Sequence, residues 1–123
     1  MTVIDEEVLA KIPDRAMRVH AVFLPVLEDD NAEAAARTFG RLRDKRFAGY
    51  WDPKHAASRA VHKAIGLPDR LTAWDVYLAY GAGRKANGVL PAPDFWMHQL
   101  SKLSERKDIE LNAGKFLESL KRL

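Results

Sequence analysis

The side chains with the greatest chemical potential are aromatic rings, histidines and carboxylates in the middle and the second half of the chain. Aromatic rings beside an imidazole and a carboxylate can hold a small or flat ligand and position a group for proton transfer. Such clusters more often form a core or a dimer interface, and we favour that interpretation. The candidate pocket consists of Trp51, Asp52, His55, Asp75, Tyr77, Trp96 and His98.

Within this set, Asp52 and His55 form the closest local pair, since they flank Pro53 and Lys54 at the predicted start of a helix. A carboxylate in that position can orient an imidazole for acid–base work. It can also accept hydrogen bonds from the free amides of the first helical turn. We favour the capping role for Asp52.

Asp75 lies inside a segment that we predict to be a strand covered on both faces. A carboxylate in such a place costs free energy unless it is paired. The candidate partners on neighbouring strands are Arg18, His20 and His98. A structural salt bridge, or a position near the sheet edge, is favoured over a functional site.

His98 follows Trp96 at a strand position where its ring is expected to be exposed beside the aromatic face. As a general base it lacks a nucleophile, because the sequence contains no nucleophile elbow and no convincing phosphate loop. We predict no catalytic residue.

Cysteine is absent from the sequence, which excludes disulfides, thiolate nucleophiles and cysteine-ligated metals. His55 and His62 lie seven positions apart on one predicted helix, too far for a shared metal ion. We therefore predict neither a metal nor a cofactor.

The charge is mixed along the chain, with 20 Lys and Arg against 17 Asp and Glu and a net charge of +3. A nucleic-acid-binding protein usually concentrates its basic residues on one face, so no nucleic-acid partner is expected. No apolar run is long enough to span a membrane. The N-terminus lacks the basic and apolar regions of a secretory signal, and we expect a cytoplasmic protein.

Ala73–Gly83 is the segment around which the predicted elements are arranged. Its residues alternate with a period of two and it ends in a glycine pair, as expected of a strand. The alternation of helix and strand signals around it indicates one α/β domain over residues 1–123, of two or three layers. The other predicted elements are a helix at Asp5–Ile12, strands at Arg18–Leu27, Phe47–Trp51 and Phe95–Leu100, and helices at Ala32–Arg43, Lys54–Ile65 and from Asn112.

The segment from Phe47 to Gly83 consists of a predicted strand, Asp52-Pro53, a helix, Gly66 and an apolar strand. This unit resembles the thioredoxin-like superfamily, in its peroxiredoxin and thiol-disulfide reductase branch. The segments Trp74–Leu78 and Phe95–Leu100 are also similar to bacterial thioredoxin-like proteins of unsettled function. The resemblance implies a truncated sandwich with a mixed four-stranded sheet, flanking helices, and a C-terminal β-hairpin and helix.

The chain departs from that family at its redox site. The Cys-x-x-Cys motif and the strand expected before Asp5–Ile12 are missing, and Thr72-Ala73 stands where the family has a cis-proline. The resemblance therefore implies a thioredoxin-like domain without redox activity.

Loss of a central strand leaves an apolar edge, which needs a partner to prevent aggregation. A homodimer is the favoured solution; direct pairing of Arg18–Leu27 with Ala73–Gly83 is the alternative. We accordingly expect a protein that acts through protein–protein interaction or self-association. The alternative is a small-molecule-binding protein or enzyme that uses the candidate pocket.

Overall fold

The computed structural model describes all residues from Met1 to Leu123 as an α/β protein with helices and two separate two-stranded sheets. The chain divides into two compact units, Met1–Ala57 and Ser58–Leu123. No helix is both long enough and apolar enough to cross a membrane.

The first unit is built around a parallel strand pair. It begins with a π-helical turn at Ile4–Val8 and a 3₁₀ turn at Leu9–Lys11. Strand β1, helix α1 and strand β2 follow at Val19–Phe23, Ala32–Gly40 and Phe47–Trp51. The register of the parallel pair runs from Val19 opposite Phe47 to Phe23 opposite Trp51.

Helix α1 packs closely on β2 because Gly49 has no side chain. A Cβ atom on Gly49 would lie 2.5 Å from Cδ2 of Phe39, well inside van der Waals contact. At its start, the side chain of Asn31 accepts a 2.8 Å hydrogen bond from the amide of Ala34 and caps α1. The side chain of Asp30, one residue earlier, accepts hydrogen bonds from the amides of Val26 and Leu27 in the preceding turn.

Helix α2, Ala56–Ile65, leads into the second unit, which contains an antiparallel strand pair. Strand β3, Val76–Ala79, pairs with β4, Phe95–His98. A 3₁₀ segment, Ser104–Ile109, and helix α3, Ala113–Lys121, complete the unit. Its buried cluster consists of Leu67, Leu71, Ala73, Leu100 and Leu103.

Helix α3 covers the β3–β4 hairpin. Phe116, Leu117 and Leu120 are buried, and the ring of Phe116 meets that of Phe95 edge-on at 5.1 Å. The side chain of Asn112 accepts a 3.0 Å hydrogen bond from the amide of Lys115, which confirms the predicted cap.

The α/β class is confirmed, but the prediction of one four-stranded sheet is wrong. The predicted strand at Ala73–Gly83 shortens to Val76–Ala79, because Asp75 adopts a left-handed conformation with φ of 49°. Just before it, the amide of Trp74 bonds back to the carbonyl of Thr72. Strand β1 takes β2 as its hydrogen-bonded neighbour, so the alternative pairing with Ala73–Gly83 is also wrong.

Candidate functional site

The residues of the predicted pocket fall into both compact units. Trp51, Asp52 and His55 belong to the first unit. The remaining members, Asp75, Tyr77, Trp96 and His98, belong to the second.

Asp52 caps helix α2. Its Oδ1 accepts a 2.8 Å hydrogen bond from the amide of Ala56, and its Oδ2 accepts one of 3.0 Å from the amide of Ala57. His55 lies in the turn between Asp52 and the first residues of α2, and its backbone is left-handed with φ of 58°. The amide of His55 donates a hydrogen bond to the backbone carbonyl of Asp52. The predicted capping role is confirmed, and both carboxylate oxygens serve it.

His98 is a buried structural residue, with 2% of its surface exposed. Its Nδ1 accepts a 3.0 Å hydrogen bond from the amide of Leu100, and its Nε2 lies 2.9 Å from the carbonyl oxygen of Arg106. These two partners require a neutral ring that carries its proton on Nε2. The expected exposure of His98 is wrong, and neither ring nitrogen is free to act as a base.

Trp96 lies against His98, with ring centroids 5.9 Å apart. The guanidinium carbon of Arg106 lies 5.8 Å from the centroid of the Trp96 ring, in cation–π range. Trp96 also packs, partly buried, against the cluster around Leu103. This part of the predicted pocket therefore belongs to the packing of the second unit.

Asp75 is exposed and precedes β3. The prediction that it lies inside a strand covered on both faces is wrong, and the favoured alternative of a position at the sheet edge describes it better. Its carbonyl accepts a 2.9 Å hydrogen bond from the amide of Gln99, which extends the hairpin ladder.

Tyr77 donates a 2.7 Å hydrogen bond from its hydroxyl to Oε1 of Gln99. Burial of the phenol, followed by the negative charge of Asp75, raises the pKa of Tyr77 from 10.0 to about 12. The hydroxyl is consequently neutral at ordinary pH and acts as a hydrogen-bond donor.

Trp51 is half-buried beside an open cavity of about 210 Å³ between α1 and the β1–β2 sheet. The lining residues are aromatic or small, and none of them carries a charge. The cavity is lined by Phe23, Ala32, Ala35, Ala36, Phe39, Gly49, Tyr50 and Trp51.

A partly buried ionic network closes the other end of the first unit. Arg46 forms a bidentate pair with Asp44, through Nε at 2.9 Å and Nη2 at 2.5 Å, and also donates to the carbonyls of Leu9, Ile12 and Arg15. Hydrogen bonds from Arg46 lower the pKa of the Asp44 carboxyl. The pair holds the N-terminal turns against the loop before β2.

Asp5 adds to the same end of the unit, where it accepts hydrogen bonds from the amides of Arg43 and Asp44 at 2.8 and 3.1 Å. An open depression beside it is lined by Asp5, Glu6, Ala10, Arg43 and Asp44. The carboxylates of Asp5 and Asp44 are already engaged in the fold, and no cluster of His, Asp and Glu suited to a metal ion is present.

Sequence reasoning missed an uncovered face of the β1–β2 sheet. Strand neighbours alternate between faces, and His20, Val22 and Tyr50 lie on the face opposite that of Phe39 and α1. Val22 is 38% and Tyr50 50% exposed. We call these three residues the sheet patch. The two strands are apolar at most positions, so nothing in their pattern marks one face of the sheet as open.

The rings of His20 and Tyr50 interact within the sheet patch. Nδ1 of His20 lies 3.1 Å from the hydroxyl of Tyr50, and the ring centroids are 5.7 Å apart. His20, considered as a partner for Asp75, therefore finds its hydrogen-bonding partner on β2.

The outer edge of β1 is unpaired. The amide of Val19 bonds to the carbonyl of Arg46, and the carbonyl of Phe23 accepts from the amide of Asp52, so both Val19 and Phe23 point toward β2. Backbone groups of successive residues in a strand alternate in direction, so Ala21 also points toward β2 while His20 and Val22 point away from it. The amides and carbonyls of His20 and Val22 thus face an edge that has no backbone partner.

Comparisons with models of protein families, with curated proteins and with solved structures each returned no match.

Proposed function

We propose that this chain acts through protein–protein contact and that the sheet patch is its contact surface. The observation that carries the proposal is the open face of a parallel strand pair, on which Val22 and Tyr50 are exposed beside His20. Parallel sheets are normally covered on both faces. Here α1 supplies one cover, and a partner would supply the other.

The chemistry of the sheet patch suits an interface. Tyrosine offers a large rigid ring with a polar tip, and such residues are enriched where proteins meet. Fully burying an apolar side chain of the size of valine or larger contributes about 1.5–3 kcal/mol. The apolar Val26 and Leu27, which follow β1, are also exposed and would extend the contact.

The polar groups of the predicted pocket support interaction over catalysis. Asp52 uses both carboxylate oxygens to cap α2, and His98 uses both ring nitrogens on backbone groups. Either side chain would have to give up these bonds before it could bind or protonate a substrate. The proposed contact function requires no such change.

We also propose that the chain is a thioredoxin-like domain without redox activity. Its support is the element order: a β–α–β unit, a helix that ends at Gly66, and an antiparallel hairpin followed by a helix. The absence of cysteine in the sequence removes the thiol chemistry of that family.

A photoreactive residue at position 50 tests the contact function. Benzoylphenylalanine would replace Tyr50, with the exposed Val89 of the second unit as the matched control position. Irradiation of cells that naturally produce the chain should yield a discrete adduct from position 50 and none from position 89. No adduct, or the same adducts from both positions, would contradict the proposal.

A second candidate function is binding of a small apolar or aromatic molecule in the cavity beside Trp51. The aromatic and alanine lining favours this occupant, and the absence of charged groups among the lining residues favours binding over catalysis. Titration with naphthalene or indole while observing the amide signals of Ala35, Phe39 and Gly49 by NMR would test it. Saturable shifts at these residues would support binding, whereas uniform or absent shifts would contradict it.

A further inference from the structure

We infer that the β1 edge, which borders the sheet patch, pairs antiparallel with the β1 edge of a second copy of this chain. This inference rests on the proposed function, because the pairing joins the two sheet patches into one larger contact face. The dimer would contain one mixed sheet in the order β2, β1, β1 of the partner, β2 of the partner. Two strands alone are a marginal sheet, and symmetric pairing doubles their number.

The β1 edge has the properties of a strand that accepts another strand. Its outward amides and carbonyls at His20 and Val22 are unpaired. Between Val19 and Phe23 there is no lysine, aspartate, glutamate or proline, the residues with which proteins usually protect an edge. An unprotected edge of this kind is a template for β-augmentation.

The outer edge of β2 is less suitable than that of β1 for pairing with another strand. Gly49 lies at its centre, and the ring of Phe39 occupies the space immediately above it. Glycine also contributes no side chain to a strand pair and weakens it. In addition, the amide of Phe47 already bonds to the carbonyl of Asp44. We therefore assign the pairing to β1.

Charge along the chain favours a second copy in the antiparallel direction. Arg18 precedes β1, and Glu28 and Asp29 follow it a few residues after Pro25. Antiparallel pairing places Arg18 of each copy near the C-terminal end of β1 in the other copy. From that end the other chain continues to Glu28 and Asp29. Parallel pairing would bring the two Arg18 side chains together, and like charges opposite each other destabilise a pair.

The register with the greatest overlap of the strands centres on Ala21. It sets His20 of one copy opposite Val22 of the other, and the two-fold axis repeats this pair. Both residues direct their backbone groups outward, so the pairing satisfies all the unpaired groups at these positions. The two sheet patches then lie on the same face of one continuous sheet.

Solution mass tests the self-association. Light scattering behind size exclusion, over a concentration series of the full chain, should give about twice the 13.9 kDa of one chain. Val22→Lys adds a charge at the pairing edge and should reduce the mass to one chain, whereas the same change at Val89, Val89→Lys, should leave the dimer intact. A wild-type monomer at every concentration, or a Val22→Lys dimer, would overturn the inference.

Disulfide formation tests the direction and register, since the chain has no cysteine of its own. Opposed residues in a hydrogen-bonded antiparallel pair have Cα atoms about 5.5 Å apart, within disulfide range. An equimolar mixture of His20→Cys and Val22→Cys chains should cross-link several-fold faster than either variant alone. Equal rates for the mixture and the separate variants would overturn the assigned register.

The two proposals fail in different ways. A monomeric purified chain with an adduct of another mass from position 50 overturns the self-pairing and leaves the contact function supported. A chain with no adduct from position 50 contradicts the contact function itself.

Discussion

The imidazole Nδ1 of His20 lies 3.1 Å from the hydroxyl of Tyr50 on the face of the parallel sheet that α1 leaves uncovered. The two side chains come from neighbouring strands, and their rings are in contact beside the exposed Val22. A polar pair next to a β-branched side chain offers a partner both apolar area and hydrogen-bonding groups.

His98 should prove structural when it is replaced. His98→Phe removes the acceptor for the amide of Leu100 and the donor for the carbonyl of Arg106. We expect the free energy of unfolding to fall by about 2–4 kcal/mol, since the buried amide of Leu100 loses its acceptor and the partly buried bond to the carbonyl of Arg106 is lost as well. Urea denaturation measures the change.

Two variants make this prediction specific. His98→Asn keeps a side-chain acceptor near the position of Nδ1 and should recover part of the loss. His20→Phe changes an exposed histidine and should alter stability by no more than about 0.5 kcal/mol. Equal stability of His98→Phe and the wild type would contradict the structural role.

Asp52→Ala should weaken the start of helix α2. The change leaves the amides of Ala56 and Ala57 without their carboxylate acceptor, and loss of such a cap costs about 1–2 kcal/mol. Asp52→Asn retains one acceptor oxygen, so its free energy of unfolding should lie between those of the wild type and Asp52→Ala. Asp69→Ala, at an exposed position, is the control, and a loss in that variant as large as in Asp52→Ala would argue against capping.

Tyr77 should ionise late in an alkaline titration. Its pKa is raised from 10.0 to about 12, mainly by burial, so the folded protein keeps the proton that the unfolded chain has already released. The stabilisation is complete below pH 10.0, and it is lost as the pH rises toward about 12. Absorbance at the phenolate band in the wild type minus Tyr77→Phe isolates this step, and a midpoint near 10 would contradict the burial.

Gly49→Ala should destabilise the first unit. The new Cβ would lie 2.5 Å from the ring of Phe39, and overpacking of this kind costs about 1–3 kcal/mol. Phe39→Leu in the same chain should relieve part of the cost and reveal coupling between the two positions. At Gly40, where nothing lies within 4 Å, the alanine substitution should be neutral or stabilising. Equal effects at Gly49 and Gly40 would show that the ring does not restrict this site.

Local signals in the sequence predicted several elements well. Strand β2 has the predicted bounds, Phe47–Trp51, and Asn112, Gly66 and Asp52 end or begin helices where their chemistry indicated. These features depend on residues within one turn of each other. They are therefore readable without the rest of the fold.

Features that depend on distant contacts were not predicted. Period-two alternation through Trp74 and Tyr80 indicated a long central strand, but the left-handed backbone at Asp75 shortens it and the sheets remain separate. Nothing in the sequence marked Arg46 as a structural residue, since the carbonyls to which it donates lie more than 30 positions away, at Leu9, Ile12 and Arg15. The burial of His98 likewise depends on the carbonyl of Arg106 in a 3₁₀ segment whose structure the sequence left ambiguous.

Photo-cross-linking from position 50, compared with position 89, tests the central claim most directly. The account predicts a discrete adduct from position 50 and none from position 89. The absence of any adduct specific to position 50 would contradict the claim that the open face of the β1–β2 sheet is an interface.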